Sequence, residues 1–279
     1  MTEEFEAHRS FLVGLAYRML GSVAEAEDVV QDAFLRWTAV DRASIADPRA
    51  YLARVVSRLC LDRMKSATAR REQYVGTWLP EPVVAEPSEP LADDLSIALL
   101  LTLERLSPLE RAAFLLHDVF DMDYAAIADA LERSEAACRQ LAARAREHVR
   151  DKRPRFAATD ETRAKITNAF QSAALTGDLT EFARMLADDA VFYSDGGGKK
   201  PAALNPIYGK DKILRFFVGI AHKGALPAPE QIRPAQINGL PGFLVRTADG
   251  VETLAFELAG DQIVAIYGIR NPDKLRHLA

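Results

Sequence analysis

The sequence predicts a multidomain chain: two all-helical modules, the second built on a helix-turn-helix, followed by an α+β domain with helices on one face of a curved sheet. Three observations predict it. Apolar residues recur at helical spacing from Phe11 to about Arg150. Beyond Asp160 the texture changes to short helical segments and then strand-like runs punctuated by glycine and aspartate. Between the helical modules lies "YVGTWLPEPVV" (Tyr74 to Val84), in which two prolines impose an extended path on an aromatic segment with little charge. A length of 279 residues accommodates two or three units of about 100 residues each.

The elements follow in order. Phe11, Leu12, Leu15, Ala16, Met19 and Leu20 make one buried helical face, Gly21 ends that helix, and Ser22 to Glu25 ("SVAE") is a capping box for the next. The second helix is expected to bury Val29, Val30, Ala33, Phe34 and Trp37 and to show Glu25, Asp28, Gln31, Asp32 and Arg36 outward. Asp47-Pro48 starts a third, with Leu52, Val55, Val56, Leu59 and Cys60 inward. Ser107 to Glu110 ("SPLE") is another capping box with proline at the first position. Asp123 and Ser134 cap two short helices joined by a tight turn, the first with Ile127, Ala128 and Leu131 inward and the second with Cys138, Leu141 and Ala145. This is the pattern of a helix-turn-helix. Its turn departs from the usual one, with Glu132 where glycine is common and Arg133 where an apolar residue is common.

In the last domain, helices are expected at about Glu161 to Leu175, Leu179 to Leu186 and Lys210 to His222. "AVFYSD", "IRPAQI", "FLVRT", "VETLAFEL" and "QIVAIYGI" read as strands, with turns at Gly239 to Gly242, Asp249-Gly250 and Gly260-Asp261. The domain limits are 1–71, a linker at 72–96, 97–155, and 160–279.

Composition narrows the function. No apolar run reaches the length of a membrane span, and the acidic opening "MTEEFEAHRS" lacks the basic and then apolar character of a signal peptide. A cytoplasmic protein without membrane partners is expected. The two cysteines sit in apolar-periodic segments and are expected to be buried thiols, with no metal site. The net charge is −5, but its distribution is uneven. Arg49, Arg54, Arg58, Arg63, Lys65, Arg70 and Arg71 face only Asp62, and Arg139, Arg144, Arg146, Arg150, Lys152, Arg153 and Arg155 face only Glu147 and Asp151. One basic stripe is usually a solvated face; two of them on helices, separated by acidic residues, point to phosphate contacts. Arg139, Gln140 and Arg144 supply the donors that guanine, adenine and phosphate edges accept.

"AEDVVQDAFLRW" (Ala26 to Trp37), "PRAYLARVVSRLCLDRMKS" (Pro48 to Ser66) and the Tyr124 to His148 helix pair, in this order and spacing, resemble the extracytoplasmic-function (ECF) sigma factors of the sigma-70 family. The resemblance covers about the first 150 residues, and nothing further is expected ahead of the first module. It implies that core RNA polymerase, through its β′ clamp and β flap, and promoter DNA are the partners. Asp28, Gln31, Asp32 and Arg36 would dock on the polymerase. The loop 41–47 and the basic helix after it, with Asp47, Arg49, Tyr51, Arg54, Arg58 and Arg63, would hold the melted −10 strand. Ser134, Glu135, Arg139, Gln140 and Arg144 would read the −35 element. Arg58 stands where many relatives carry asparagine and Tyr51 where many carry tryptophan.

The remainder is similar to the SnoaL-like branch of the nuclear-transport-factor-2 (NTF2-like) fold, a cone-shaped α+β domain, and to the sigma J–like group that carries it. The marks are Trp78, Leu79, Pro80, Glu81 and Pro82 ("WLPEP"); Asp195, Gly196, Gly197, Gly198 and Lys199 ("DGGGK"); and Asn271, Pro272, Asp273, Lys274 and Leu275 ("NPDKL"). The resemblance implies that this domain tunes sigma activity directly, in place of a separate anti-sigma partner. The "NPDKL" tail is expected to dock near Asp195 to Lys199. No enzymatic activity or cofactor is expected. The rival is a small-molecule sensor or pocket enzyme, with an unknown ligand in the cone and Tyr193, Asp195, His222 and Tyr267 as its candidates.

Overall fold

The protein is described from a computed structural model, over residues 2–41, 43, 45–72, 74–85, 96–150, 160–223 and 227–278. Residues 42 and 44 of the loop 41–47, the acidic stretch 86–95 and the end of the second basic stripe (151–155) lie outside these described residues. The chain forms two compact units: Met1–Gln73 with Ala98–Arg153, and Tyr74–Ile97 with Pro154–Ala279.

The first unit is all helix: α1 (Thr2–Leu20), α2 (Val23–Ala39), α3 (Pro48–Glu72), α4 (Ile97–Leu103), α5 (Pro108–Phe114), α6 (Tyr124–Leu131) and α7 (Glu135–Val149). The caps are those written in the sequence. Ser22 accepts from the Glu25 amide, Asp47 from Ala50, Asp123 from Ala126 and Ser134 from Ala137. Ser107 and Glu110 close a reciprocal capping box. Each cap satisfies amides that the first helical turn leaves unpaired, worth about 1 kcal/mol apiece. Trp37, Leu52, Val56 and Cys60 are buried, and Phe34 is half-buried with its ring edge-on to Phe5. Burial pushes both thiols, Cys60 and Cys138, above their ordinary range. A π-helical turn, Leu115–Val119, follows α5 without a break and was not legible in the sequence. Glu132 ends α6 in the left-handed conformation (φ 55°), at the position glycine normally fills.

The second unit is α+β. A seven-stranded sheet runs in the order β1-β4-β5-β6-β7-β2-β3, formed by β1 (Val84–Ala85), β2 (Leu186–Asp195), β3 (Ile207–Tyr208), β4 (Ile232–Ile237), β5 (Leu240–Thr247), β6 (Gly250–Ala259) and β7 (Gln262–Ile269). All neighbours are antiparallel except β2 and β7, which form a parallel pair. The helices are α8 (Asp160–Thr176), α9 (Thr180–Met185) and α10 (Lys210–His222). The expected turn at 239–242 moves: Asn238 and Gly239 both take positive φ, and β5 begins at Leu240 with Pro241 opposite Gln236. Asn-Gly is the preferred two-residue hairpin turn because both positions need left-handed backbone, which outweighs the turn-like look of Gly-Leu-Pro-Gly.

The core of this unit lies between the helices and one face of the sheet. Phe170, Phe182, Phe192, Phe217, Phe243 and Phe256 interlock there with Ile166, Ile213 and Ile266. The cone interior is therefore occupied by phenylalanine rings. Strand alternation puts Tyr193 and Asp195 on the face opposite Phe192, and Tyr267 opposite Ile266. Three of the four residues considered for a pocket thus point away from the cone. His222 lies at the last residue of α10.

Candidate functional site

The segment read as a strap between helical modules is part of the C-terminal unit. Its last residue and the one that follows add a strand to the sheet edge, Val84 opposite Ile237 and Ala85 opposite Gln236. Val83 donates to the Asn238 side chain (3.1 Å) and accepts from the Asn238 amide (2.8 Å). Upstream, the strap crosses the end of β2, where Asp195 is the centre of a buried polar cluster. One carboxylate oxygen accepts from the Tyr74 hydroxyl (2.5 Å) and the Gly197 amide (3.1 Å). The other accepts from the Leu79 amide (2.8 Å) and the Lys274 ammonium (2.7 Å).

The tail completes the cluster from the other side. The Asp195 carbonyl accepts from the Arg270 and Asn271 amides, which anchors the start of "NPDKL". Lys274 donates also to the Leu79 carbonyl and lies over the rings of Trp78 (4.3 Å) and Tyr74 (4.9 Å). Its ammonium thus has a carboxylate, a carbonyl and two aromatic faces as partners, a setting that compensates its burial. The Asn271 side chain donates to the Tyr74 oxygen (2.8 Å), Asp273 pairs with Lys199 (2.5 Å) and Arg276 (2.6 Å), and the His277 ring meets the Pro82 carbonyl (2.8 Å). Leu79, Pro80, Pro82 and Leu275 are buried, and Trp78 and Glu81 are half-buried.

The expected meeting of "NPDKL" with "DGGGK" is present, and "WLPEP" joins them. The glycines have a steric reason. A Cβ at Gly197, whose φ is 59°, would fall 2.2 Å from Nδ2 of the Asn271 side chain, and one at Gly196 would fall 2.2 Å from the Lys200 carbonyl oxygen. Burial, and next the bond to Asp195, push the Tyr74 hydroxyl above its ordinary range, so it stays a donor. The Lys199 contact holds the Asp273 carboxyl below its ordinary range. Within the segment the sequence marks only Trp78 to Pro82 as contact residues, and neither Tyr74 nor His277 is among the residues it singles out; an aromatic four residues ahead of Trp78 was the available signal. Outside the cone, a recess of about 490 Å³ lies between Val75-Gly76 and the loop from Gly196 to Leu204.

The first unit carries the other expected residues. Gln31, Asp28 and Arg36 are exposed on α2, with Asp32 half-exposed beside them. Arg63 reaches this face from α3, 3.1 Å from Asp32 and 3.7 Å from Asp28, and donates to the Glu25 carbonyl. On α3, Arg49 lies over the Phe11 ring and donates to the Phe120 carbonyl (3.0 Å), while Arg54 lies over Tyr51, itself tilted against Trp37. Arg58 pairs with Glu132 (2.7 Å). On α7, Arg139, Gln140 and Arg144 are exposed, as are Ser134 and Glu135 at its start. Arg139 pairs with Glu135 and lies over Tyr124. Arg146 bonds Asp118, Tyr124 and His117, which ties α7 to the π-helical turn. Arg111 is buried, bonds the Met19 carbonyl (2.6 Å) and Glu104 (2.7 Å), and is lowered by burial to about 10.

Comparison with known proteins gives this arrangement its family. Sigma-70 region 2 matches residues 5–70 and Sigma-70 region 4 matches residues 96–149. The ECF RNA polymerase sigma factor SigJ of Mycobacterium tuberculosis (strain ATCC 25618 / H37Rv) is 41% identical, over 97% of this chain and 92% of its own. The chain is an ECF sigma factor. The probable ECF sigma factor SigI of M. tuberculosis (strain CDC 1551 / Oshkosh) is 39% identical over 65% of each chain. The crystal structure of M. tuberculosis SigJ superimposes with a TM-score of 0.82 and 38% identity, over 99% of this chain and 98% of that one. Like its relatives, this sigma factor is a transcription factor that directs transcription through core RNA polymerase and promoter DNA, and helical sigma domains are followed by a SnoaL-like domain. Among the described residues, no helix is long and apolar enough to cross a membrane.

Proposed function

We propose that the SnoaL-like domain of this ECF sigma factor modulates its activity directly, taking the role a separate anti-sigma factor plays elsewhere, and does so through the strap. One observation carries the proposal: the covalent path from region 2 to region 4 runs through residues whose amide, carbonyl and aromatic groups are fixed on Asp195 and Lys274. A connector held in this way limits where the two promoter-reading modules travel; a released one does not.

Within that scheme Asp28, Gln31, Asp32 and Arg36 dock on the β′ clamp, and the region 4 helices engage the β flap. Asp47, Arg49, Tyr51, Arg54 and Arg58 serve the −10 strand. Arg63 supports the polymerase-facing side as well, since its guanidinium pairs with Asp28 and Asp32. Ser134, Glu135, Arg139, Gln140 and Arg144 serve the −35 duplex, each good base contact contributing about 1–3 kcal/mol of discrimination. The site of action is the cytoplasm, where core polymerase works.

The test is transcription in vitro with bacterial core polymerase. Full-length protein, a chain ending at Arg270 and the Trp78→Ala, Pro80→Ala variant are compared on the same promoter. A severalfold change in output, with both modules still folded by circular dichroism, is expected. Equal output from all three would remove the strap and the C-terminal domain from regulation.

A further inference from the structure

We propose that Arg58 and Glu132 form an electrostatic latch that holds the −10-reading helix against the helix-turn-helix in the free sigma factor and opens when core polymerase separates the two modules. The inference rests on the promoter roles given above for α3 and α7. Both partners belong to the first compact unit, where α3 packs on α6.

Three features meet at this contact. The Arg58 guanidinium is 2.7 Å from the Glu132 carboxylate and directs Nε at the Ala130 carbonyl and Nη2 at the Asp129 carbonyl, each at 3.4 Å. Those carbonyls are at the C-terminal end of α6, where acceptors lack helical partners and the helix dipole favours a cation. Glu132 itself holds a left-handed backbone (φ 55°) that a side chain other than glycine adopts at a cost. A residue kept in such a conformation calls for an offsetting gain, and the side chain of Glu132 supplies it on Arg58. Two of the departures noted in the sequence, Arg58 in one module and Glu132 in the other, are thus partners in one ion pair.

The latched form cannot read a promoter. By their numbering the −10 and −35 elements are roughly 25 base pairs apart, about 85 Å of duplex at about 3.4 Å per pair. Helix α3 cannot touch the helix-turn-helix while each module sits on its own element. The latch also occupies the guanidinium proposed to meet the −10 strand, so DNA and Glu132 compete for Arg58. The same interface contains Arg49 on the Phe120 carbonyl, Phe11 edge-on to Phe120, and Arg111 on the Met19 carbonyl. Opening returns Arg111 to water, which relieves its burial, so this contact opposes separation little.

The experiment measures the distance between spin labels at Thr38→Cys on α2 and Ala143→Cys on α7 in the full-length chain at low salt. Both positions are exposed, whereas Cys60 and Cys138 are buried. Glu132→Gly relieves the backbone cost in either state, so the turn folds at least as well, and Glu132→Arg reverses the charge. Each is expected to raise the ratio of separated to closed molecules about two- to fivefold, the range an exposed pair supports. Arg58→Glu combined with Glu132→Arg is expected to return the ratio toward that of the parent. One distance distribution for all four chains would overturn the latch. If promoter-dependent transcription persists in that case, the sigma reading stands and only the latch falls; no transcription by any chain removes the reading beneath it.

Discussion

Two of the ion pairs that join segments far apart in sequence are built in opposite ways. Lys274 and Asp195 are 9% and 0% exposed at their side chains, with every neighbouring donor and acceptor matched. Arg58 and Glu132 are 43% and 72% exposed. A buried pair is costly to break, because removing one partner strands the other charge in a low dielectric. An exposed pair is worth about 0–1 kcal/mol and yields to water and salt. The C-terminal unit therefore clasps the strap firmly, while the ion pair between α3 and the end of α6 is one that water and salt can open. The proposed regulation through the connector needs both: one end fixed, the other poised.

The largest expected effect breaks the firm side. Lys274→Met leaves Asp195 charged, buried and one donor short, and is expected to cost about 3–5 kcal/mol of strap docking. Hydrogen exchange at the Leu79 amide in the full chain measures it, since that amide is bonded to Asp195. Asp195→Asn in the same chain removes the orphaned charge, so the double variant is expected to lose clearly less. A smaller loss in Lys274→Met than in the double variant would show that the pair is not the clasp.

Gly197→Ala comes next, at about 1–3 kcal/mol, because it combines left-handed backbone with a Cβ driven into Asn271. Asn271→Ala added to it relieves the clash but not the backbone cost, so partial recovery is expected in the same exchange assay. Tyr74→Phe follows at about 1–2 kcal/mol, since it removes one donor from Asp195 and leaves the Asn271 amide without its acceptor. The pH dependence has a definite sign. The folded Tyr74 hydroxyl titrates above its ordinary value, so its contribution is full below pH about 10 and is lost only as pH rises through the raised value. The Tyr74→Phe penalty should therefore be constant from pH 6 to 9.

The sequence announced the helices well because each carries its own local instructions. Ser22, Asp47, Ser107, Asp123 and Ser134 sit one residue before their helices and cap them, and the alternating strands of the last domain are where the pattern puts them. Features set by tertiary contacts were not legible. The parallel pairing of β2 with β7 and the π-helical turn at Leu115–Val119 have no local signature. Site motifs were visible as three short strings, but their convergence on one carboxylate is a property of the fold. Tyr74, 121 residues from Asp195, shows why: nothing in its neighbours indicates an acid across the sheet edge. The position of Arg63 was likewise not legible: a basic residue in a basic stripe carries no sign that its guanidinium reaches across to Asp32 on α2, 3.1 Å away.

The smallest expected effect separates the two pairs without changing a residue. At 0.1 M ionic strength the screening length is about 10 Å, and it shortens to a few ångströms near 1 M. Ions reach Arg58 and Glu132 directly but are excluded from Lys274 and Asp195. Raising salt from 0.05 M to 0.5 M should shift the spin-label distances toward the separated form, in the same direction as Glu132→Gly and by less than about fivefold. Exchange at the Leu79 amide should stay unchanged over the same range. Glu132→Gly should lose most of the salt response, because the charge that salt screens is already gone. A Glu132→Gly chain that responds to salt as strongly as the parent would mean that other charges hold the modules together. The comparison would then rest on the buried pair alone.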